Sequence, residues 1–277
     1  MAQILAISSQ VARGHVGLSA IVPALNELGH GVIALPTVLL SNHPGHPNIA
    51  GQPTDPALLG QMADALEANG WLAGIDVILS GYLPSAAHVE FVTATVARVR
   101  QLRPDCRYLC DPVLGDDPKG LYIDKGAASA IRQLLLPLAD VILPNRFELA
   151  WLSGLPVTSP AEAVSAARSL GVETAIATSI PSATGLLLTM QIDANHAIAC
   201  AVARRTSVPN GTGDLLSALI AGGWKLGRAV AAIDALLDES AGFDELRLTT
   251  TKRVWMTASP LAEFAVDLVQ PKARPCL

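Results

Sequence analysis

The sequence predicts an α/β protein with a mostly parallel central sheet and helices on both of its faces. Three observations carry this. Apolar runs of strand length alternate with helical patterns along most of the chain. The loops richest in Gly, Asp, Asn and Pro follow the ends of the apolar runs. Hydrophobic residues make up 51% of 277 residues and charged residues only 16%, enough for a large core. Alternation of this kind favours parallel strands joined by crossover helices, and such sheets bind ligands beyond the carboxyl ends of their strands.

The elements read as follows. Gln3 to Ser8 is a buried strand, and a helical pattern from Gly17 to Leu28 stops at Gly29. Val32 to Leu35 is a strand, and Ser41 to Pro56, rich in Pro, Gly, His and Asn, is a long irregular loop. A helix from Pro56 to Asn69 leads to the strand Asp76 to Ser80. Helix 85–102 precedes strand 107–110, and a Gly/Asp/Pro-rich loop spans 111–120. Helix 126–136 precedes strand 140–143, helices cover 145–153 and 160–170, and strand 173–178 follows. Leu186 to Ile192 and His196 to Ala203 form a hairpin turning at Asp193-Ala194-Asn195. Gly211 opens a long helix and Gly227 to Leu237 makes another. Residues 244–277 are less regular; Trp255, Phe264 and Val266 suggest a packed terminal segment, with 271–277 frayed. No fixed-period repeat and no linker is evident, so residues 1–277 read as one domain.

Composition excludes several function classes. The formal charge is -5 and the basic residues are scattered, against a nucleic-acid or membrane-surface partner. No run approaches the roughly 18 apolar residues of a membrane span. The start, Met-Ala-Gln-Ile-Leu-Ala-Ile, lacks a basic leader and cleavage site. Cys106, Cys110, Cys200 and Cys276 have neither disulfide nor zinc-site spacing and read as reduced thiols. The expectation is a cytoplasmic protein.

The strongest local signal is Asn210-Gly211-Thr212-Gly213-Asp214 ahead of the apolar helix Leu215-Leu216-Ser217-Ala218. Two glycines let the backbone turn tightly, and N–H groups at a helix N-terminus form a concavity for negative charge. A carboxylate at its mouth, Asp214, can take a proton from an attacking hydroxyl. Read alone, the same five residues are equally a Gly-rich turn with Asp as a helix cap. They are neither a Walker A loop nor a dinucleotide fingerprint, lacking the Gly-Lys-Ser/Thr of one and the third glycine of the other.

Gly-Thr-Gly-Asp before a late helix resembles the hallmark of the ribokinase superfamily, and further segments resemble the pyridoxal kinases within it. These are 8–17 (Ser-Ser-Gln-Val-Ala-Arg-Gly-His-Val-Gly), 37–43 (Thr-Val-Leu-Leu-Ser-Asn-His), 80–83 (Ser-Gly-Tyr-Leu), 110–116 (Cys-Asp-Pro-Val-Leu-Gly-Asp) and 144–149 (Pro-Asn-Arg-Phe-Glu-Leu). They run in the family's order over most of the chain. The resemblance implies a ribokinase-like three-layer αβα sandwich, a single kinase domain over 1–277, and ATP-dependent phosphorylation of the 5'-hydroxyl of pyridoxal. It also implies a homodimer. Asp214 would be the base, and Gly211, Thr212 and Gly213 the anion hole. Ser9, Thr37, His43 and Tyr82 would line the substrate pocket with Asp214. Asp116, Asn145, Glu148, Thr178, Ser179, Thr212 and Gly213 would line the nucleotide channel. Asp111 and Glu148 would organise Mg²⁺, which prefers carboxylates and retained waters. A monovalent cation is a further expectation, weakened because Leu143 stands where eukaryotic relatives carry threonine.

Without the family, several of these residues have plainer readings. Ser9 fits a turn, Asp111 a turn opener before Pro112, and Glu148 a first-turn helix acid. His43 fits a solvated loop histidine and Tyr82 a half-buried aromatic. Two rival functions stand beside pyridoxal kinase. One is a hydroxymethylpyrimidine kinase of the same fold; the other is a pyridoxal phosphate carrier with weak catalysis, against which the set Asp111, Glu148 and Asp214 speaks.

Overall fold

The computed structural model describes residues 1–266. In chain order the elements are β1 (Gln3–Val11), α1 (Leu18–Glu27), β2 (Gly31–Leu40), β3 (Gly51–Pro53), α2 (Pro56–Ala68), β4 (Val77–Ser80), α3 (Ala86–Leu102) and β5 (Arg107–Cys110). There follow β6 (Gly115–Asp116), β7 (Gly120–Leu121), α4 (Lys125–Ala130), β8 (Val141–Ile142), α5 (Arg146–Ser153), α6 (Pro160–Ser169) and β9 (Thr174–Pro181). The last are β10 (Leu187–Ile192), β11 (Ala197–Val202), α7 (Thr212–Ala221), α8 (Leu226–Glu239), α9 (Lys252–Met256) and β12 (Phe264–Ala265).

One ten-stranded sheet runs in the order β12-β11-β10-β9-β8-β5-β4-β1-β2-β3. Its centre, β2-β1-β4-β5-β8-β9, is parallel throughout. Both edges turn antiparallel: β3 on β2 at one side, and β10, β11 and β12 at the other. Alternate side chains of β1 enter opposite cores, as a pleated strand requires. Leu5 and Ile7 pack with α2 to α6, while Ile4 and Ala6 pack with α1, α7, α8 and α9. This is a three-layer αβα sandwich. The parallel strands send their carboxyl ends to one edge of the sheet, where the site lies.

The structure differs from the sequence expectations where tertiary context decides. The second strand does not stop at Leu35 but runs through Pro36 to Leu40. Proline is tolerated there because β3 pairs only from Val38 onward, leaving that side of the strand open. The 41–56 loop is therefore not wholly irregular, since it contains β3. The loop at 111–120 likewise holds the small antiparallel pair β6–β7. The helix expected over 126–136 is regular only to Ala130, then widens to a π-turn over Ile131–Leu135 and tightens to a 3₁₀ turn over Leu136–Leu138. Pro137 explains this, because it lacks an N–H and its ring displaces the carbonyl four residues earlier. In the terminal segment Trp255 is buried against Trp224, but Phe264 is exposed on an edge strand rather than packed. The frayed end expected over 271–277, and Cys276, lie outside the described residues. Cys106, just before β5, and Cys110, its last residue, are buried free thiols in the same core. Among the described residues no helix is long and apolar enough to cross a membrane.

Candidate active site

Asp214 is the third residue of α7 and stands in its first turn. The helix is entered through Gly211, whose φ is 99°. A Cβ there would sit 1.9 Å from the His15 carbonyl oxygen, so both conformation and space demand glycine. The N–H groups of Thr212 and Gly213 open α7 and lack intrahelical acceptors, as the first amides of a helix do, so they can face an anion. The Asp214 carboxyl is half-buried and pushed up to about 6 by desolvation, with the amides of Gly17 and of Asp214 itself drawing it back.

Two more acids reach this edge from other strands. Asp111 follows β5, and its amide is held by the Ser80 carbonyl at 2.9 Å. Its carboxyl is buried and pushed up to about 7, first by desolvation and then by the charge of Asp214. The Ser217 hydroxyl, one turn along α7 from Asp214, opposes this by donating to Asp111 Oδ2 at 2.6 Å. Glu148 completes a capping box at the start of α5. Its Oε2 accepts from the Asn145 amide at 2.8 Å and its Oε1 from the Leu114 amide at 2.9 Å. Burial first, then Asp111, holds its carboxyl well above the usual range.

This donor set fits a hard divalent cation: oxygen donors only, buried, with excess negative charge. Asp111 is the residue that would hold it. Glu148 has both oxygens engaged by amides, so it fits an outer role through water and charge. Among the described residues no three His, Cys, Asp or Glu side chains form a metal cage of their own.

On one side of Asp214 lie the residues expected to meet the acceptor. Gly17, whose amide faces Asp214, abuts Ser9, since a Cβ on Gly17 would lie 2.2 Å from the Ser9 hydroxyl oxygen. Ser9 sits where β1 changes register against β2, which turns it out of the ladder. Gly81 packs between Ser8 and Asp214; its missing Cβ would meet Ser8 Oγ at 2.4 Å and Asp214 Oδ1 at 4.0 Å. The Ser8 hydroxyl in turn accepts from the Tyr82 amide at 3.1 Å. Tyr82 is half-buried and its phenol is raised by desolvation. Thr37 differs from expectation in kind: it is fully buried, and its hydroxyl donates to the Tyr82 carbonyl at 2.7 Å. It holds the Tyr82 loop rather than presenting a free group. His43 lines a separate cleft with Val16, His46 and Asn210, in which none of Ser9, Tyr82 and Asp214 takes part. Its Nδ1 accepts from the Gly45 amide, and burial, His46 and Lys119 hold it below the ordinary histidine value.

On the other side lies a cavity of about 150 Å³ between the β9–β10–β11 edge and helices α7 and α8. Thr178, Ser179, Thr212 and Gly213 line its polar end, and Leu187, Val202, Val230 and Ile233 its apolar end. Ser179 has φ 61°, a left-handed conformation that is costly for a non-glycine residue. Asn145 bridges to Thr178 beside the cavity, yet its amide is spent within the protein, Nδ2 on the Gly115 carbonyl and Oδ1 on the Glu148 amide. Asp116 lies exposed on β6, its Oδ1 accepting from the Asp117 amide. Asp214 thus stands between the Ser9–Gly81 side and the cavity that Thr212 and Gly213 line.

Three features escape sequence reasoning. Ser217 could have been found from its i+3 spacing to Asp214. Tyr122, after β7, is exposed, and its phenol is raised by desolvation and by the charges of Glu148, Asp111, Asp116 and Asp214. The apolar lining of the cavity reads in sequence as ordinary core.

The family model described as phosphomethylpyrimidine kinase matches residues 14–235. The chain is similar to a pyridoxal kinase PdxY of Corynebacterium diphtheriae, 38% identical over 180 residues, which is 64% of each chain. Against that of Deinococcus radiodurans it is 40% identical over 167 residues, 60% of this chain and 56% of the other. The matches thus span under two thirds of these relatives' length. The fold is similar to a pyridoxal kinase from Leishmania donovani in complex with ADP and pyridoxamine, with TM-score 0.90 and 30% identity over 96% of this chain and 99% of that one. It is similar also to the Entamoeba histolytica pyridoxal kinase, with TM-score 0.88 and 26% identity over 96% of this chain.

Proposed function

The chain belongs to the phosphomethylpyrimidine kinase family, and from that premise we propose that it phosphorylates the 5'-hydroxyl of pyridoxal with ATP. The observation that carries this reading is the position of Asp214, with its carboxyl near 6, between the acceptor pocket and the nucleotide cavity at the mouth of a glycine-lined anion nest. In the reaction the 5'-oxygen forms a bond to the γ-phosphorus and its proton passes to Asp214. The bond from the γ-phosphorus to the β–γ bridging oxygen breaks, and ADP leaves with that electron pair. The amides that open α7 stabilise the charge on the phosphoryl group in transit. Asp111, with Glu148 behind it, would hold Mg²⁺, which would supply neutralisation of the triphosphate. Ser9 and Tyr82 orient the vitamin ring, with Thr37 fixing the Tyr82 loop. Thr178, Ser179 and Thr212 face the nucleotide, with Asn145 and Asp116 shaping the rim.

The same reading takes residues 1–277 as one ribokinase-like kinase domain, supported by the continuous sheet from β3 to β12. It makes the protein a cytoplasmic homodimer, to be checked by sedimentation. Turnover in potassium against sodium buffers tests a monovalent cation, to which the buried Leu143 offers no side-chain oxygen.

The deciding assay is ATP- and Mg²⁺-dependent phosphorylation of pyridoxal beside hydroxymethylpyrimidine, with Asp214→Asn as control. Selective pyridoxal turnover that is lost in the variant is expected. Turnover of the pyrimidine alone would support the second reading, which the description of the matching family favours. Binding of pyridoxal phosphate with no turnover would favour a carrier.

A further inference from the structure

We infer that Arg205 is a positioning residue that pins the loop 203–210 to α8 and so holds the nucleotide cavity and the phosphate nest in register. This rests on the kinase reading above. The loop joins Val202, which lines the cavity, to Gly211, which opens the nest. It has no regular structure, and most of its residues are exposed. Among the described residues, the hydrogen bonds recorded for these eight positions are all made by Arg205. Its Nη1 donates to Asp238 Oδ1 at 2.6 Å. Its Nη2 donates to Asp234 Oδ1 at 2.6 Å and to the Asp234 carbonyl at 3.1 Å.

The geometry goes beyond a surface ion pair, which by itself contributes little. Asp234 and Asp238 stand one turn apart on α8, so a rigid guanidinium fork can meet both at once, as a lysine cannot. The Arg205 side chain is only 23% exposed, so its stem is tucked against the helix. Asp234 itself lines the cavity beside Ile233 and Val230. One side chain therefore ties the loop to the wall that a nucleotide base would meet, and the loop ends on the glycine whose backbone shapes the nest. The neighbouring Arg204 is exposed and makes no recorded contact. A loop freed from α8 would lose the alignment of wall and nest, while Ser9 on β1 and Tyr82 after β4 are held by other strands.

The test measures ADP affinity, pyridoxal affinity without nucleotide, and melting temperature for the wild type, Arg205→Ala, Arg205→Lys and Asp238→Asn. Losing the charge-assisted contacts is expected to weaken ADP binding about tenfold in R205A and about threefold in R205K and D238N. KM for ATP should rise in parallel, with kcat changing less, and pyridoxal affinity should stay within about twofold. Unchanged ADP affinity in R205A would overturn the inference and leave the kinase reading intact. So would a joint fall of ADP affinity, pyridoxal affinity and melting temperature, because it would mark Arg205 as a general stabiliser. A wild type that binds no ADP would overturn both.

Discussion

Replacing Asp214 by Asn should sharply lower turnover and at the same time stabilise the fold. Desolvation raises the carboxyl from its ordinary 3.8 to about 6, so the folded chain resists its ionisation. At 1.36 kcal/mol for each pH unit, the rise corresponds to about 3 kcal/mol of destabilisation once the group is charged in both states. The sign follows from proton binding. Between pH 4 and 6 the folded protein holds a proton that the unfolded chain has released, so stability falls as pH rises through that window. Asn is isosteric, stays neutral, and can still accept from the Gly17 amide. Its own amide must be accommodated beside Asp111, so the gain is smaller than the full figure, about 1–2 kcal/mol.

The assay is thermal unfolding of wild type and D214N at a series of pH values, beside the kinase assay. For a chain of this size the gain corresponds to about 2–4 °C at pH 8, shrinking toward nothing at pH 4. Loss of the base should lower turnover by about 10²–10⁴. A variant that melts at or below wild type at pH 8 would refute the claim that Asp214 is kept charged at a cost. A variant that melts higher yet turns over normally would refute its role as base.

Three further outcomes are expected. The kcat/KM profile should fall on its acid side near about 6, because Asp214 must be ionised to act as base and its carboxyl is raised, which a pH series on the wild type checks. Gly211→Ala should cost about 2–4 kcal/mol in denaturant unfolding and about 10²-fold in kcat, since its φ is 99° and its Cβ would meet the His15 carbonyl. Ile233→Trp, filling the apolar end of the cavity, should raise KM for ATP by more than about tenfold while leaving pyridoxal affinity unchanged in direct binding.

How much of this was legible in the sequence depends on whether the signal is local. The parallel centre was legible, because alternation of strand and helix is a local pattern that leaves few topologies. The tight turn into α7 was legible because it demands glycine at 211, beside an acid at 214. What escaped was set by distant partners. Ser217 meets Asp111 across 106 residues, and no local pattern links them. Thr37 looked like a free pocket hydroxyl until the fold placed the Tyr82 carbonyl 2.7 Å away. Leu187, Val202, Val230 and Ile233 are apolar residues of a strand edge and a helix face, and only their failure to meet marks a cavity. Phe264 looked like core, but its strand closes the sheet edge and leaves the ring in solvent.

The three acids of the site show how one sheet edge separates roles by environment alone. All are raised by desolvation, but each is compensated differently. Glu148 is wrapped by the amides of Asn145, Leu114 and Gly115, so its oxygens are committed to fixing the start of α5 and the β6–β7 turn. Asp111 has a single recorded donor, the Ser217 hydroxyl, and bears the repulsion of Asp214, so an added cation relieves it more than any neighbouring side chain does. Asp214 is displaced least of the three, with Gly17 and the start of α7 partly offsetting its desolvation, so it stays ionised at neutral pH while close enough to neutrality to accept a proton. On the proposed kinase reading, the order anchor, cation holder, base therefore follows from what surrounds each carboxylate. In the surroundings of Glu148 either aspartate would be committed to backbone amides and unavailable to a cation or a proton.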